Sequence, residues 1–422
     1  MSAVAFTRIL SFEDARRTIE EHQTCVQPVA TEVVELLQAG GRVLADPIFA
    51  DRDFPPFPRS TRDGYAVRSA DLSRLPATLA VIGEIKAGEK LTGVPLSVGA
   101  GEAVSIMTGA PVPPGADAVV MVEYTVGHGA GVEIGRSAAP GENIVPQGAE
   151  SKQGSLLLDR GQRLSEAAIG LAASVGKAQL TVYKRPRVAL LATGDEIVEV
   201  AVTPGPTQIR NSNSYSLAVQ VRAAGGEPIL LPIAPDEPRA LRRLIAEGLQ
   251  SDLLILAGGV SMGRYDLVEQ VLAEIGAEFF FTGAKIQPGA PAVFGRCKSV
   301  VSGGSQTSPK HTYFFGLPGN PVSTMVTFEV FARPLLEALA GQTPRELGFL
   351  HARLKSEIRV KPGLKRILPA VLAGQFENSE VELVAWQGSG DMAALARSNC
   401  YVVVPENRDV IRAGEWVAVM IR

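Results

Sequence analysis

The chain has 422 residues, 46% of them apolar and 20% charged, with 41 basic against 44 acidic side chains for a net charge of -3. That length exceeds what one hydrophobic core holds, so more than two domains of ordinary size are expected. The balanced charge argues against nucleic acid or an anionic membrane as partner, and no run approaches the ~18 unbroken apolar residues of a membrane span.

Taken in chain order, Ser11-Phe-Glu-Asp14 reads as a helix start, a serine cap with an acid three positions on, and the helix is expected to continue through Arg17, Ile19 and His22. A second helix is expected from Thr31 to Gln38, ending at Gly40-Gly41. From Pro47 the texture changes to short strands with many turns, at Pro55-Pro56, Gly64, Gly88, Gly101, Pro113-Pro114-Gly115 and Pro140-Gly141. Ser165 then caps a helix from Glu166 to Val175 that stops at Gly176. Residues 47–139 therefore read as a β-rich domain inserted into a helical linker domain built from 1–46 and 140–183.

Over 184–340 strands and helices alternate. The apolar runs Val188–Ala192, Pro228–Pro232 and Asp252–Ala257 are separated by helical patterns at Tyr215–Ala224 and Pro238–Leu249. Short continuous apolar runs joined by helices indicate a parallel sheet covered on both faces, a doubly wound α/β domain whose ligands sit at the carboxyl ends of the strands. Residues 341–422, with strand patterns at Cys400–Val404 and Glu415–Val419, suggest a terminal β-barrel or sandwich.

Cys25, Cys297 and Cys400 lie far apart, and His22, His128, His311 and His351 are equally scattered, without the close spacing of a zinc site. Met1 to Leu10 lacks the long apolar core of a signal peptide, so a cytoplasmic location with reduced thiols is expected. Chemistry must then rest on carboxylates, hydroxyls, backbone amides or a hard metal.

Three glycine-containing loops stand at strand ends of the α/β domain: Leu191-Ala-Thr-Gly-Asp-Glu196, Ala257-Gly-Gly-Val-Ser-Met-Gly263 and Gly316-Leu-Pro-Gly-Asn-Pro321. Glycines let backbone amides converge, and a helix start favours an anion, so together the loops describe an oxyanion or phosphate pocket. Neither G-x-G-x-x-G nor GxxxxGK[ST] is present, which argues against a dinucleotide site and an NTP-hydrolysing P-loop. Asp195, Glu196, Asp236 and Asp266 lie near these loops, where carboxylates suit Mg²⁺, although helix capping is an equally available role for Asp236 and Asp266. In the β-rich stretch, Asp63 stands beside Gly64 and Thr108 beside Gly109, each also compatible with an ordinary turn.

In order along the chain, Asp63-Gly-Tyr-Ala, Met107-Thr-Gly-Ala-Pro, Thr193-Gly-Asp-Glu, Gly258-Gly-Val-Ser-Met-Gly, Gln287-Pro-Gly-Ala-Pro and Gly316-Leu-Pro-Gly-Asn-Pro-Val-Ser323 resemble the molybdopterin molybdenumtransferase family, which includes the MoeA-type proteins and the C-terminal domain of gephyrin. The resemblance implies a multidomain α/β plus β fold in an elongated subunit, with the helical domain, the β-rich insertion, the molybdopterin-binding α/β domain and the C-terminal β-barrel. It implies a homodimer with each active site shared between subunits, and a possible adenylyltransferase partner. The implied substrates are molybdate and adenylylated molybdopterin, with Mg²⁺ required and AMP released.

Carried over residue by residue, the resemblance assigns catalysis to Asp63, Thr108, Glu196 and Asp236, and Mg²⁺ to Glu196 and Asp266. The pterin and phosphate pocket falls to Gly258, Gly259, Ser261, Gly263, Pro288, Gly289, Pro318, Gly319, Asn320, Ser323 and Ser389. The chain departs from the family pattern where Val145, Pro146 and Gln147 replace arginines, where Ala149-Glu150 replaces an acidic pair, where Arg62 replaces a methionine, and at Gln287 and Ala290, which are lysines in some relatives. Fewer cations near the site weaken capture of a dianion. Lys285, Arg264, Arg210 and Arg62 are candidate substitutes, and a tungsten-inserting paralogue or a catalytically weak scaffold stands beside the molybdenum insertase.

Overall fold

A computed structural model describes residues 8–88, 96–259, 267–298, 311–375 and 377–422. The chain forms two compact units, one of residues 1–45, 160–165 and 179–422, the other of residues 46–159 and 166–178.

The first unit opens with the helix Phe12–Cys25, whose cap Ser11 accepts a hydrogen bond from the Asp14 amide at 3.0 Å, as the cap motif requires. Phe12, Ala15 and Ile19 recur three and four residues apart and bury one face against the α/β core. On the same face the buried Arg16 donates to the Val330 carbonyl at 2.7 Å. The helix expected over Thr31–Gln38 is instead a strand, Thr31–Glu35, followed by a 3₁₀ turn, Leu36–Ala39. The strand pairs antiparallel with Gln179–Tyr183, and the β-branched Thr31, Val33 and Val34 suit a pleated ribbon better than a helix. That partner lies far along the chain, so the local pattern does not reveal it.

The α/β sheet runs Glu227–Leu230, Arg187–Ala192, Leu253–Ala257, His311–Leu317, Val293–Lys298, Glu278–Phe281. The first four strands are parallel; Val293–Lys298 runs antiparallel to them, and Glu278–Phe281, antiparallel to that strand, runs again with the first four. Helices Asn213–Ala223 and Pro238–Gly248 connect the first parallel strands. Arg187–Ala192 and Leu253–Ala257 are buried along almost their whole length because both faces are covered. The core on one face holds Phe281, Phe294, Phe315, Phe328 and Phe331, all fully buried. Each such side chain contributes roughly 1.5–3 kcal/mol by leaving water.

After the strand His311–Leu317 comes the helix Pro321–Thr327, with proline in its first turn, where no amide is needed. It continues through a π-helical turn, Phe328–Ala332, into Arg333–Leu339. The C-terminal strands close on themselves in the order Lys365–Ala373, Glu380–Leu383, Leu350–Leu354, Trp416–Ile421, Cys400–Val404, the last pairing back with the first. The expected barrel is thus a closed five-stranded one, filled by Ala352, Leu354, Val381, Val402 and Val419. Ile286–Gln287 of the α/β domain adds a parallel pairing to its strand Lys365–Ala373.

The second unit carries a six-stranded sheet ordered Ala118–Met121, Gly64–Val67, Glu102–Ile106, Ala77–Ile85, Gly131–Ile134, Thr125–His128. Gly64 permits its closest pairing, since a Cβ there would lie 1.9 Å from the Val120 carbonyl oxygen. No helix among the described residues is long and apolar enough to cross a membrane.

Candidate active site

Within the first unit, the carboxyl ends of three adjacent parallel strands bring their loops together. Gly194 donates its amide to the Ala234 carbonyl at 3.2 Å, and Gly258 donates to Leu317 at 3.1 Å. Gly258 and Gly259 have φ of +94° and +65°, values that favour glycine. A Cβ on Gly258 would stand 2.8 Å from the Thr193 carbonyl oxygen, and one on Gly259 2.5 Å from Thr193 Oγ1. Gly319 stands beside them, with its own ideal Cβ position in ordinary contact, 3.5 Å from the Gly258 Cα. Gly258 and Gly259 are therefore required by their positive φ and by the close approach of Thr193 at the strand ends.

Pro288 and Gly289 follow the strand Ile286–Gln287, and Ser323 is buried in the helix Pro321–Thr327. Asn320 caps that helix in an extended conformation without spending its side chain on the cap. Ser389 comes to the same place from the C-terminal domain, its carbonyl accepting the Val322 amide at 2.9 Å. Pro318, Gly319, Asn320, Ser323 and Ser389 thus share one neighbourhood. Ser261, Gly263, Asp266 and the candidate cation Arg264 lie outside the described residues.

Among the acids, Asp195 Oδ1 accepts the Asp236 amide at 3.0 Å, which ties the first and second strand ends together. Glu196 is exposed, and its carboxylate packs over Gly194, where a Cβ would come within 2.5 Å of Oε2. These are hard oxygen donors of the type a divalent magnesium ion takes. Among the described residues, no three His, Cys, Asp or Glu side chains converge as for a metal.

In the second unit, Asp63 and Thr108 meet across two adjacent strands. Asp63 Oδ1 accepts the Thr108 amide at 2.6 Å and the Thr108 hydroxyl at 2.8 Å. Those two bonds, the amide first, hold the Asp63 carboxyl below its ordinary range, so it is a carboxylate at neutral pH. Asp63 is exposed, and Gly64 and Gly109 fix the two loops that present the pair.

Sequence reasoning missed three contributors. Arg366, buried in the barrel strand, donates through Nε to Gln287 Oε1 at 2.8 Å, bringing a guanidinium to the Gln287 loop. Asn213 donates to the Gly319 carbonyl at 2.6 Å, and the buried Thr193 hydroxyl has no partner among the described residues. A cation on a barrel strand leaves no local signal, whereas Asn213 at a helix start is visible as an Asn-Ser-Asn run. Of the proposed substitutes, Arg210 is turned to the Val202 carbonyl at 3.1 Å, and Arg62 and Lys285 are exposed.

Three family descriptions match the chain: MoeA N-terminal region (domain I and II) over 10–176, probable molybdopterin binding domain over 189–338, and MoeA C-terminal region (domain IV) over 351–421. A molybdopterin molybdenumtransferase of Nostoc sp. is 35% identical over 406 residues, covering 92% of this chain and 88% of that protein. One of the same name from Haemophilus influenzae is 34% identical, covering 93% and 94%. The crystal structure of a molybdopterin biosynthesis MoeA protein from Pyrococcus horikoshii superposes with a TM-score of 0.78 at 27% identity, covering 98% of this chain and 100% of that one. With this identity across nearly its whole length and all three regions matched in order, the chain belongs to the molybdopterin molybdenumtransferase family.

Proposed function

We propose that this protein inserts molybdenum into molybdopterin. Water cleaves the phosphoanhydride of adenylylated molybdopterin, AMP leaves, and the two dithiolene sulfurs bind the molybdenum of molybdate, their two thiol protons leaving with one molybdate oxygen as water. The observation that carries this reading is the meeting of the Gly258-Gly259 and Pro318-Gly319-Asn320 loops at one sheet edge with Ser389 beside them, in a chain 35% identical to a protein of that name.

In this reading, the glycine loops, Asn320 and Ser323 hold the pterin phosphate, with Ser261, Gly263, Pro288 and Gly289 completing the pocket. Backbone approach at glycines allows close contact with phosphate oxygens. Asp63, fixed by Thr108, and Asp236, fixed through Asp195, act as carboxylates that orient water and the pterin ring. Glu196 and Asp266 would hold Mg²⁺, which supplies charge neutralisation at the phosphoanhydride. The buried Arg366 guanidinium compensates in part for the missing lysines and draws molybdate toward the Gln287 loop.

The reading carries with it a homodimer whose sites draw on both subunits, a cytoplasmic location, delivery of the pterin by an adenylyltransferase, and the four-domain division stated above. Solution mass tests the dimer. The function is tested by mixing purified protein with adenylylated molybdopterin, Mg²⁺ and molybdate and measuring AMP. Pterin binding without AMP release at saturating molybdate would leave a scaffold instead, and a parallel tungstate series identifies the metal preferred.

A further inference from the structure

A basic cavity lies in the first unit, at the end of the α/β sheet opposite the glycine loops. Its volume is about 170 Å³, and its walls include Arg42, Arg163, Lys184, Arg185, Arg222 and Gly225. Arg185 precedes the strand Arg187–Ala192, whose far end leads into Thr193 and Gly194. Arg222 ends the helix Asn213–Ala223, whose start holds Gly319. That helix is roughly 16 Å long at 1.5 Å per residue, so the two places are well apart.

The lining holds five cations and no acid. Arg42 is neutralised by Glu32 and also donates to the Tyr183 carbonyl at 2.8 Å. Arg163 is held in place by Nη1 on the Ala223 carbonyl at 2.9 Å and Nε on Gln342 at 3.2 Å. Its Nη2 is buried with no hydrogen-bond partner. Gly225, at φ +93°, leaves that nitrogen its space, since a Cβ there would lie 2.6 Å away. The nearest compensating acid, Glu337, is already engaged by Arg333 and Arg345, and Lys184, Arg185 and Arg222 have no ion-pair partner among the described residues.

A buried guanidinium nitrogen without an acceptor is costly, and a cluster of like charges around it adds repulsion. One bound anion relieves both. One water needs only about 10–15 Å³ of such space, so the cavity has room for a small oxyanion and its remaining waters. We propose that this cavity binds a tetrahedral oxyanion of the phosphate or molybdate type, held by Arg163 Nη2 and by Arg185 and Arg222, at a site separate from the pterin pocket. Guanidinium groups match such oxygens in pairs, which suits a site made mainly of arginines.

The test is calorimetric titration of the full chain with inorganic phosphate and, separately, with molybdate, at ionic strength matched by chloride. The wild type is expected to bind saturably, and the exposed pair Arg185→Ala/Arg222→Ala to lose affinity by about tenfold or more while its thermal transition in chloride is unchanged. Arg163→Lys, which keeps the charge and removes Nη2, is expected to weaken binding as well. Tighter binding of phosphate marks a phosphate-bearing ligand, and tighter binding of molybdate marks a site that collects the metal substrate. Saturable binding that persists undiminished in the double variant places the anion elsewhere and overturns the proposal. So does the absence of saturable binding for both anions, which leaves the cavity filled by water. AMP release measured in the same double variant keeps this result distinct from the proposed reaction.

Discussion

Replacing Gly289 by alanine tests the loop beside the proposed pterin pocket and has a magnitude set by the structure. Gly289 adopts φ +113°, where an L side chain is strained by of order 1–3 kcal/mol. The new methyl would also lie 2.3 Å from the Thr327 Cγ2 in a close-packed region, an overlap worth about 1–3 kcal/mol more. Gly289→Ala is therefore expected to destabilise by about 2–6 kcal/mol. Thr327→Ser removes the opposing methyl while keeping the hydroxyl that donates to the Ser323 carbonyl at 2.7 Å, and alone costs about 0.5–1.5 kcal/mol. In the double variant the steric part disappears and the backbone strain remains, so a coupling of about 1–3 kcal/mol is expected. Denaturant unfolding followed by the fluorescence of Trp386, which packs against this core, measures each corner of the cycle. Additivity of the two substitutions to within about 0.5 kcal/mol would refute the close approach.

Three further outcomes follow from the geometry. Asp63→Asn is expected to lower AMP release by roughly 10²–10⁴ with the thermal transition unchanged, because Asp63 is exposed. The folded Asp63 carboxyl titrates below its ordinary range, so its charge is complete above that range and is lost as pH falls through the lowered value. Thr108→Val removes one of its two donors and should move the acid limb of the pH profile upward, and an unmoved limb would remove Asp63 from that titration. Arg366→Gln is expected to raise the KM for molybdate about tenfold with a smaller change in kcat, as loss of one charge-assisted contact does, and an equal fall in kcat would assign Arg366 another role. Burial pushes the Cys297 thiol up to about 12 and raises that of Cys400, whereas Cys25 is exposed. A thiol reagent near pH 8 should then label Cys25 alone in the native protein and all three cysteines after unfolding, and rapid labelling of Cys297 would contradict its burial.

Much of the α/β domain was legible in the chain. Continuous apolar runs such as Val188–Ala192 and Leu253–Ala257 can be stable only when covered on both faces, and the helical patterns between them supply the cover. The cap at Ser11 was legible for the same kind of reason, since its hydrogen bond closes within three residues. The glycines at 194, 258 and 259 pointed to backbone amides converging on a ligand, and the six ordered motifs, Gly289 among them, pointed to the family.

What the tertiary structure decided depends on partners far away in sequence. Thr31–Glu35 is a strand because Gln179–Tyr183 pairs with it, and nothing within the segment announces that partner. One reversed strand, Val293–Lys298, and the edge strand Glu278–Phe281 beyond it complete the sheet through antiparallel pairing, which apolar pattern alone does not distinguish from further parallel pairing. Asp63 becomes a fixed carboxylate only when strand pairing brings Thr108 to it, 45 residues on. Gln287 meets Arg366, and the Ser389 carbonyl meets the Val322 amide, only because the barrel packs against the α/β domain. Residue types and short-range periodicity thus determined which elements form and which chemistry they carry, while long-range hydrogen bonding and packing decided which of those residues stand together.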